Sequence, residues 1–462
     1  MKALAPYSTG QVAEQTGVPA STIERLADEF ANTQPGLAIG GGAAANHGNG
    51  VDTLTAVHAL NYLVGNIGKK GGLVFNPAPS FGGTSNARQA SYRSMVKLAD
   101  DARAGKIEVL IINNTNPVFT LPAAAGFADA LAEIPLVVSL SSFIDETTAR
   151  ADVVLPSHTY LESWGDDIPE PGVGFPVAAI SQPVVSPLYN TKATGDIVLA
   201  LAGALGFGET LPWADMEDYL RQSWRGIFAR AGAADSLEAS DALWTDVLKA
   251  GVWGETPRRD PASVTVDRAT IDEIGVAAPE FSGSSDVYPF VLHPYLSTGL
   301  NDGRGANLPW MQELPDPMTS VVYGSWVEMN PKTAEKLGLK EGALVEVESP
   351  HGKVTAPVYV YPAIRPDVVA MPIGQGHESF GRYASQRGVN PIEILAPQVE
   401  PETGSLAWAA TRVKLTATGR RIELVKTGGD SRELGRGIVQ TTGSDADHSA
   451  NLNSIPIKVV ST

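Results

Sequence analysis

Cysteine is absent from the 462 residues of this chain. The absence excludes a disulfide, a thiolate nucleophile and any cysteine ligand to a metal or an iron–sulfur cluster within the chain. Long apolar runs are missing too, since no stretch approaches the roughly 18 residues of a membrane-spanning helix. The first residues also lack the apolar core of a signal peptide. We therefore expect a soluble or membrane-peripheral chain with no direct membrane span, no signal peptide and no iron–sulfur cluster of its own.

Positive charge is scarce, because 34 Lys and Arg face 51 Asp and Glu and leave a net charge of -17. Nucleic-acid binding needs a basic face, so this balance argues against a nucleic-acid partner. An anionic ligand remains compatible, because backbone N–H groups at helix N-termini can hold one without net positive charge. The length is sufficient for two or three domains, each with its own core.

The first half of the chain alternates short apolar strands with helices, which is typical of a parallel sheet wrapped by helices. The runs VLII and VVLP are continuously apolar, as in strands that are buried on both faces. Ser21 to Glu24 resembles a capping box that would begin a helix. The predicted elements are two short helices between Gln11 and Ala31, a strand at Gly36–Gly40, a helix from Asp52 to about Val64, a helix ending near Ala104, a strand at Val109–Asn113, a helix at Ala123–Leu131, a strand at Leu136–Leu140, a short helix at Glu146–Ala149 and a strand at Val153–Leu155.

The second half of the chain has a different sequence pattern. Residues from about Thr194 to Ala250 are predicted to be helical, and a polar, weakly periodic stretch from Pro257 to Ser285 follows them. From Tyr288 onward, short runs with period-2 alternation and turns every 8–12 residues favour a β-barrel. The predicted organisation is an α/β domain over residues 1–255, a β-barrel domain over 286–425 and a polar tail over 426–462.

A glycine-rich loop runs from Gly40 to Gly50, between the strand predicted at Gly36–Gly40 and a predicted helix. Backbone can approach a phosphate closely at such a position, which makes Gly42 and His47 candidate binding residues. The dinucleotide pattern is weak, because Asn61 stands where an acidic residue would accept the ribose hydroxyl. A tight turn with a structural histidine is the equally open alternative.

Two further polar runs follow predicted strands. Asn114, Thr115, Asn116 and Pro117 come directly after the strand Val109–Asn113, at the end of the sheet where open α/β folds bind ligands. An Asx-type turn capped by proline accounts for the same residues. The next strand holds Ser139 and is followed by Phe143 and Asp145, for which a helix cap is the alternative.

Taken together, these runs resemble the molybdopterin oxidoreductases of the dimethyl sulfoxide reductase family. Thr16-Gly17-Val18-Pro19-Ala20 resembles the family's "tGvpa" segment, Asn114-Thr115-Asn116-Pro117 its strand-end "N-P" motif, and Glu146 to Pro156 (ETTARADVVLP) its "ET...ADVVLP" motif. In the second half, Val327 to Pro331 and Leu337 to Gly342 are similar to the family's barrel domain. Gly374-Gln375-Gly376-His377 resembles its pterin-side "G.GH" loop, so His377 is the preferred ligand candidate among the histidines, with a buried turn histidine as the alternative.

The resemblance implies a dinucleotide-binding-like parallel-sheet domain followed by a barrel of the double-psi type. It also implies a molybdopterin guanine dinucleotide cofactor, as bis-MGD with molybdenum or tungsten, shared with an N-terminal part that carries the metal ligand and the iron–sulfur cluster. No residue of this chain is expected to be catalytic or to bind the metal. The implied cofactor-binding residues are Gly42, His47, Asn114, Thr115, Asn116, Pro117, Ser139, Phe143, Asp145, Gly374, Gln375, Gly376 and His377.

The implied partners are an N-terminal half or subunit of the same enzyme, an iron–sulfur electron-transfer subunit and a membrane anchor subunit, with the periplasmic face favoured. Gly381 to Ala384 and Gly388 to Pro391 look most like the polysulfide and thiosulfate reductase branch, which includes the alternative complex III subunit. A split gene, an incomplete reading frame and a relative that has lost its metal all fit this pattern. Two hypotheses therefore stay open: the cofactor-binding portion of a respiratory molybdenum oxidoreductase, and a metal-free scaffold subunit of a quinol-oxidising membrane complex. A free-standing nucleotide-dependent enzyme fits less well, because the ribose acid is missing.

Overall fold

The computed structural model describes residues 7–76, 90–169, 174–254, 265, 274 and 278–427. Most of the predicted tail and of the polar stretch before the barrel lies outside the described residues. The α-helices are α1 Thr9–Thr16, α2 Ala20–Asn32, α3 Gly50–Leu63, α4 Tyr92–Arg103, α5 Pro117–Thr120, α6 Phe127–Leu131, α7 Thr194–Ala204, α8 Met216–Arg230, α9 Leu237–Ala250, α10 Pro309–Glu313, α11 Pro331–Lys336 and α12 Gly381–Ala384. The strands are β1 Val109–Asn113, β2 Leu136–Leu140, β3 Val153–Val154, β4 Gly165–Asp167, β5 Val177–Ser181, β6 Val252–Gly254, β7 Phe290–Leu296, β8 Val327–Met329, β9 Ala343–Ser349, β10 Gly352–Val360, β11 Val368–Ile373 and β12 Arg412–Arg421.

The first two helices lie where the sequence predicts them, but the predicted cap is wrong. The capping box is at Ser8, whose hydroxyl accepts from the backbone N–H of Gln11 at the start of α1. Helix α2 begins directly after Pro19, which makes no side-chain cap. Ser21 therefore lies inside the helix, because the fixed φ of Pro19 starts the helix two residues earlier than the predicted box.

The strand predicted at Gly36–Gly40 does not form, since this segment pairs with no strand in the described residues. The fully buried side chain of Asn61 on α3 instead bonds the backbone of Ala38, accepting from its N–H and donating to its carbonyl at 2.8 Å each. A β-strand needs a neighbouring strand for its hydrogen bonds. One amide side chain supplies that pairing for a single residue only.

A parallel three-stranded sheet with the order β1-β2-β3 follows. Val109 pairs with Leu136 and Val138 with Val153. One face of the sheet packs on α4 and α6, with Ile112 and Val137 in the shared core. The prediction that both faces are buried is wrong for the described residues. The opposite face carries exposed apolar side chains, among them Val109 and Ile111 at 53% and 48% exposure.

The helices that connect the strands of this sheet are shorter than predicted. The helix expected at Ala123–Leu131 is split at Gly126, whose φ of 62° is left-handed, into a 3-10 turn at Ala123–Ala125 and helix α6. In place of the short helix predicted at Glu146–Ala149, the structure has a 3-10 turn at Thr148–Arg150. Downstream, α8 and α9 pack a second core on the antiparallel sheet β4-β5-β6, with Trp224 and Phe228 fully buried in it.

The second half closes into the predicted β-barrel, with the strand order β10-β8-β11-β7-β12-β9. Strand β11 runs parallel to β7 and antiparallel to β8. The alternating strand pattern turns Val345, Val347 and Met371 inward, where each is fully buried. As predicted, Asn330 caps α11 by accepting from the backbone N–H of Lys332, and Pro331 is its first residue. No described helix combines the length and apolarity needed to cross a membrane.

Candidate functional site

The polar run after β1 forms one wall of the site. Pro117 begins α5, and Asn116 immediately before it is held by its side chain. The amide oxygen of Asn116 accepts from the backbone N–H and the hydroxyl of Thr147, at 3.2 and 2.7 Å. The amide nitrogen of Asn116 donates to Glu146 at 2.7 Å. The loops that follow β1 and β2 are therefore fixed to one another through Asn116.

Glu146 joins these loops to the barrel. Its carboxylate accepts from Nδ1 of His377 at 3.1 Å and from the backbone N–H groups of Glu378 and Ser379 at 2.7 and 3.0 Å. Glu146 and His377 are 6% and 2% exposed, so these contacts are shielded from water. We call this cluster of Asn116, Phe119, Glu146 and His377 the Glu146 junction. It brings together two motifs separated by 231 residues of sequence.

Both ring nitrogens of His377 lie against protein acceptors. Nδ1 faces the Glu146 carboxylate, and Nε2 lies 3.2 Å from the carbonyl oxygen of Gly303. The ring also stacks on Phe119, with centroids 3.7 Å apart and planes at 10°. Because both partners only accept, both contacts are hydrogen bonds only when the imidazole carries two protons. The buried position matches the turn-histidine alternative, and a ligand role for His377 stays a prediction.

Electrostatics favours an ionised Glu146. Burial alone raises the pKa of a carboxyl group, but hydrogen bonds from His377, from the Ser379 backbone and from Asn116 outweigh burial and lower the pKa of Glu146 to about 2. Asp145 next to it behaves in the opposite way. Burial raises the pKa of Asp145 although its carboxylate accepts from the backbone N–H of Thr148. That bond is the helix-cap alternative of the sequence interpretation.

In the Gly374–His377 loop, Gly374 and Gly376 lie where neighbouring atoms leave no room for a Cβ. Gly376 has a φ of 98°, and a Cβ there would lie 2.2 Å from the backbone nitrogen of Asn390. Gly374 has a φ of 117°, and a Cβ there would lie 2.7 Å from the Leu300 side chain. Only glycine adopts such a backbone this close to its neighbours. Between them, the buried Gln375 donates to the amide oxygen of Gln312 at 2.7 Å.

The other predicted residues, in β2 and in the loops after β1 and β2, differ in how far their side chains are exposed. Ser139 is buried, with its hydroxyl 2.9 Å from that of Thr148. Asn114 and Thr115 are exposed, and Asn114 has a left-handed φ of 45°. Phe143 is 46% exposed and meets the ring of Phe380 edge-on. Three of the predicted residues therefore present side chains to solvent beside the Glu146 junction, where a ligand could reach them.

The glycine-rich loop is not joined to the Glu146 junction by any hydrogen bond or ring contact of the described residues. It reaches the barrel elsewhere: the Asn46 carbonyl accepts from Ala409, and His47 meets Phe281 edge-on at 5.7 Å. Burial lowers the pKa of His47, and its Nδ1 has no partner in the described part of the chain. Gly42 has a left-handed φ of 53° in a 3-10 turn with open space around it.

A cavity of about 500 Å³ near the end of β1 was missed by the sequence interpretation. Its lining includes the carboxylates Glu162, Asp196 and Asp215 together with Trp164 and His158. Neither ring nitrogen of His158 has a partner among the described residues. The cavity adjoins the predicted motif, since Thr194 at the start of α7 donates to the Asn113 side chain at 3.2 Å. Carboxylates from three separate segments carry no short-range pattern that could have identified it.

Arg387, on the segment that bonds the backbone of Gly376, has a partnerless polar atom as well. The guanidinium Nε of Arg387 is buried without a hydrogen-bond partner in the described part of the chain, while its backbone carbonyl accepts from the Gly376 N–H at 2.7 Å. Among the described residues, no group of three or more His, Asp or Glu side chains is arranged to hold a metal ion. The site is therefore a surface of polar side chains and backbone groups that could hold an extended polar ligand.

Two family models match the chain. Residues 18–204 match the molybdopterin oxidoreductase model, and residues 306–410 match the molydopterin dinucleotide binding domain. The first range contains the loops after β1 and β2, and the second contains the Gly374–His377 loop.

Curated relatives carry corresponding names. The chain is 31% identical to the menaquinone reductase, molybdopterin-binding-like subunit, of Nitratidesulfovibrio vulgaris over 89% of this chain and 57% of that protein. It is 24% identical to the thiosulfate reductase molybdopterin-containing subunit of Salmonella typhimurium over 86% of this chain and 60% of that protein. The chain thus spans less than two thirds of the length of these relatives.

A solved structure shares the fold. Acetylene hydratase from Pelobacter acetylenicus superposes with a TM-score of 0.63 at 18% identity, covering 90% of this chain and 65% of that one. Together, the two family models and the named relatives show that this chain belongs to the molybdopterin oxidoreductases of the dimethyl sulfoxide reductase family.

Proposed function

We propose that this chain is the molybdopterin guanine dinucleotide-binding portion of a molybdenum oxidoreductase large subunit in a respiratory electron-transfer complex. The observation that carries the proposal is the Glu146 junction, because it holds the strand-end loop and the G.GH-like loop side by side. In the proposed enzyme an N-terminal part supplies the metal ligand and the iron–sulfur cluster. The barrel is proposed to be of the double-psi type, and the sheet region to be dinucleotide-binding-like.

Two sets of polar groups fit such a cofactor. Arg387, whose backbone carbonyl accepts from the Gly376 N–H, carries a guanidinium, which suits the pyrophosphate of a dinucleotide. Exposed Asn114 and Thr115 offer amide and hydroxyl groups at the strand end. These residues would hold the cofactor tail in place, while the bound molybdopterin and its metal supply the electron transfer.

The guanine end fits the cavity near β1. Guanine presents the N1–H and the N2 amino group as donors on one edge, and carboxylates are acceptors only. Asp196 and Glu162 could accept from that edge, and Trp164 offers a face for stacking. The cavity volume of about 500 Å³ is ample for a nucleoside. Its acidic lining would repel phosphate, so the pyrophosphate would lie outside it, toward the strand ends.

The relatives' names support the respiratory setting. A menaquinone reductase subunit and a thiosulfate reductase subunit are both parts of redox enzymes. By analogy, we propose partners in the form of an iron–sulfur subunit and a membrane anchor subunit, at the periplasmic face, with either molybdenum or tungsten as the metal. The proposed branch is the polysulfide and thiosulfate reductase-like one.

The test is the composition of the assembly purified from its source. We expect molybdenum or tungsten by mass spectrometry of metals, and guanosine monophosphate released from the cofactor by acid hydrolysis. Asp196→Asn preserves the acceptor for the backbone N–H of Met216 but places an amide donor where guanine also donates. We expect it to lower the guanine nucleotide content about tenfold, while the exposed Asp286→Asn control leaves it unchanged. An assembly with neither metal nor guanine nucleotide would reject the proposal and favour the metal-free scaffold.

A further inference from the structure

Among the described residues, the segment Gly36–Gly40 is held in place from one side only. Asn61, which is fully buried, bonds both the N–H and the carbonyl of Ala38. The side chain of Asn66 also donates to the carbonyl of Gly36. Gly40 packs so closely on α3 that a Cβ there would lie 2.9 Å from the Leu54 side chain. The inner edge of this segment is therefore satisfied and packed.

The outer edge of this segment has no hydrogen-bond partner in the described part of the chain. In extended chain, successive residues direct their N–H and carbonyl groups to opposite edges. With Ala38 directed at Asn61, the groups of Leu37 and Ile39 point away, and they make no hydrogen bond within the described residues. The side chains of Leu37 and Ile39 are 42% and 82% exposed. An exposed apolar edge with unpaired N–H and carbonyl groups can pair with another strand.

Helix α2, which precedes this segment, also exposes apolar side chains. Helix α2 has an apolar stripe but no buried residue, and Leu26 on it is 50% exposed. The glycine-rich loop with Gly42 begins directly where Gly36–Gly40 ends, which is the end of a strand at which α/β sheets bind ligands. The sequence pattern of a strand and the absence of a neighbour in the described residues point to a sheet that is completed by another segment.

We propose that an extended segment from the N-terminal part of the oxidoreductase pairs with the Leu37–Ile39 edge and completes a sheet there. This inference rests on the proposed function. The relatives support the choice of occupant, because the chain spans 57% and 60% of their lengths and leaves a large part of each without a counterpart. Charge disfavours a second copy of this chain, since two chains of net charge -17 repel each other.

Amide hydrogen exchange, resolved to single residues, tests the pairing. We expect the Ala38 amide to be protected in both the isolated chain and the assembly from its source, because Asn61 already binds it. The Ile39 and Leu37 amides should exchange rapidly in the isolated chain and become protected in the assembly. Rapid exchange at both positions in the assembly would overturn the proposal.

Cross-linking from the exposed Lys69 and Lys70 identifies the occupant. Links to the N-terminal part of the oxidoreductase support the proposal, whereas links to another subunit or to a second copy contradict it. Metal and guanine nucleotide are measured on the same sample. Loss of the cofactor with a protected edge would then count against the proposed function alone, and a cofactor-loaded assembly with an unprotected edge would count against this inference alone.

Two variants at one position separate backbone pairing from side-chain contact. Ile39→Pro removes an N–H that is unbonded in the described chain and keeps Ala38 extended, because the residue before proline favours that conformation. Ile39→Ala removes the apolar side chain and keeps the N–H. We expect Ile39→Pro to lower the yield of assembly at least about tenfold, while Ile39→Ala stays within about threefold. Unchanged protection of Ala38 in isolated Ile39→Pro shows that the chain is folded, and equal yields for both variants would overturn the pairing.

Discussion

Replacing Glu146 by glutamine tests whether the buried carboxylate holds the two halves of the site together. The substitution keeps the size of the side chain but removes its charge and turns one acceptor oxygen into a donor. One carboxylate oxygen, Oε2, accepts from the side chains of Asn116 and His377. The other, Oε1, accepts from the backbone N–H groups of Glu378 and Ser379. Whichever oxygen is replaced by the amide nitrogen, the donors on that side lose their acceptor. Breaking a buried pair in this way leaves polar groups unsatisfied away from water.

The expected magnitude follows from the pKa of the group. Folding lowers the pKa of Glu146 from its ordinary value of 4.5 to about 2, which corresponds to about 3 kcal/mol of stability at neutral pH. Because the folded-state pKa is lowered, this stability is present above pH 4.5 and is lost as the pH falls toward 2. At pH 3 it has fallen to about 1 kcal/mol.

Urea unfolding at pH 7 and pH 3 measures the difference. We expect Glu146→Gln to lower the free energy of unfolding by about 3 kcal/mol at pH 7 and by clearly less at pH 3. The matched control is Glu335→Gln on α11, whose side chain is exposed, and it should change the free energy by less than about 0.5 kcal/mol. A Glu146→Gln effect below about 1 kcal/mol at pH 7, or one that is equal at both pH values, would refute the reasoning.

The strands were predictable wherever an apolar run is bounded by turn residues and its neighbour follows in sequence. Strands β1 and β2 begin and end at the predicted residues, because each is short, apolar and next to its partner. Gly36–Gly40 is also a short apolar run bounded by turn residues. It has no neighbouring strand in the described chain, and so it remains unpaired. The residue pattern indicates how readily the backbone becomes extended. A strand also needs a partner for its backbone hydrogen bonds.

The site was predictable in its parts but not in its connections. Asn116 and His377 were both singled out from local motifs, yet the carboxylate that joins them belongs to Glu146, which had been noted only within a longer motif. No local pattern reports a contact across 231 residues. The cavity with Asp196 was missed for the same reason, since its walls come from segments that only the fold brings together.

Two further substitutions test the barrel. Gly376→Ala should lower the free energy of unfolding by at least about 2 kcal/mol, because its Cβ would lie 2.2 Å from the Asn390 nitrogen at a left-handed φ; Gly324→Ala, which has open space around it, should change it little, and equal effects of the two would contradict the steric argument. Glu328→Gln should show a pH trend of the opposite sign to Glu146→Gln. Burial raises the pKa of Glu328, although Tyr295 and Trp326 donate to its carboxylate. A raised folded-state pKa means that the folded protein binds more protons than the unfolded chain above pH 4.5, so wild-type stability falls as the pH rises through that window. Glutamine keeps an acceptor and carries no charge at any pH, and hence the variant should gain stability relative to wild type between pH 5 and pH 8 in urea unfolding. A constant difference over that range would show that Glu328 is ionised in the folded barrel at its ordinary pKa.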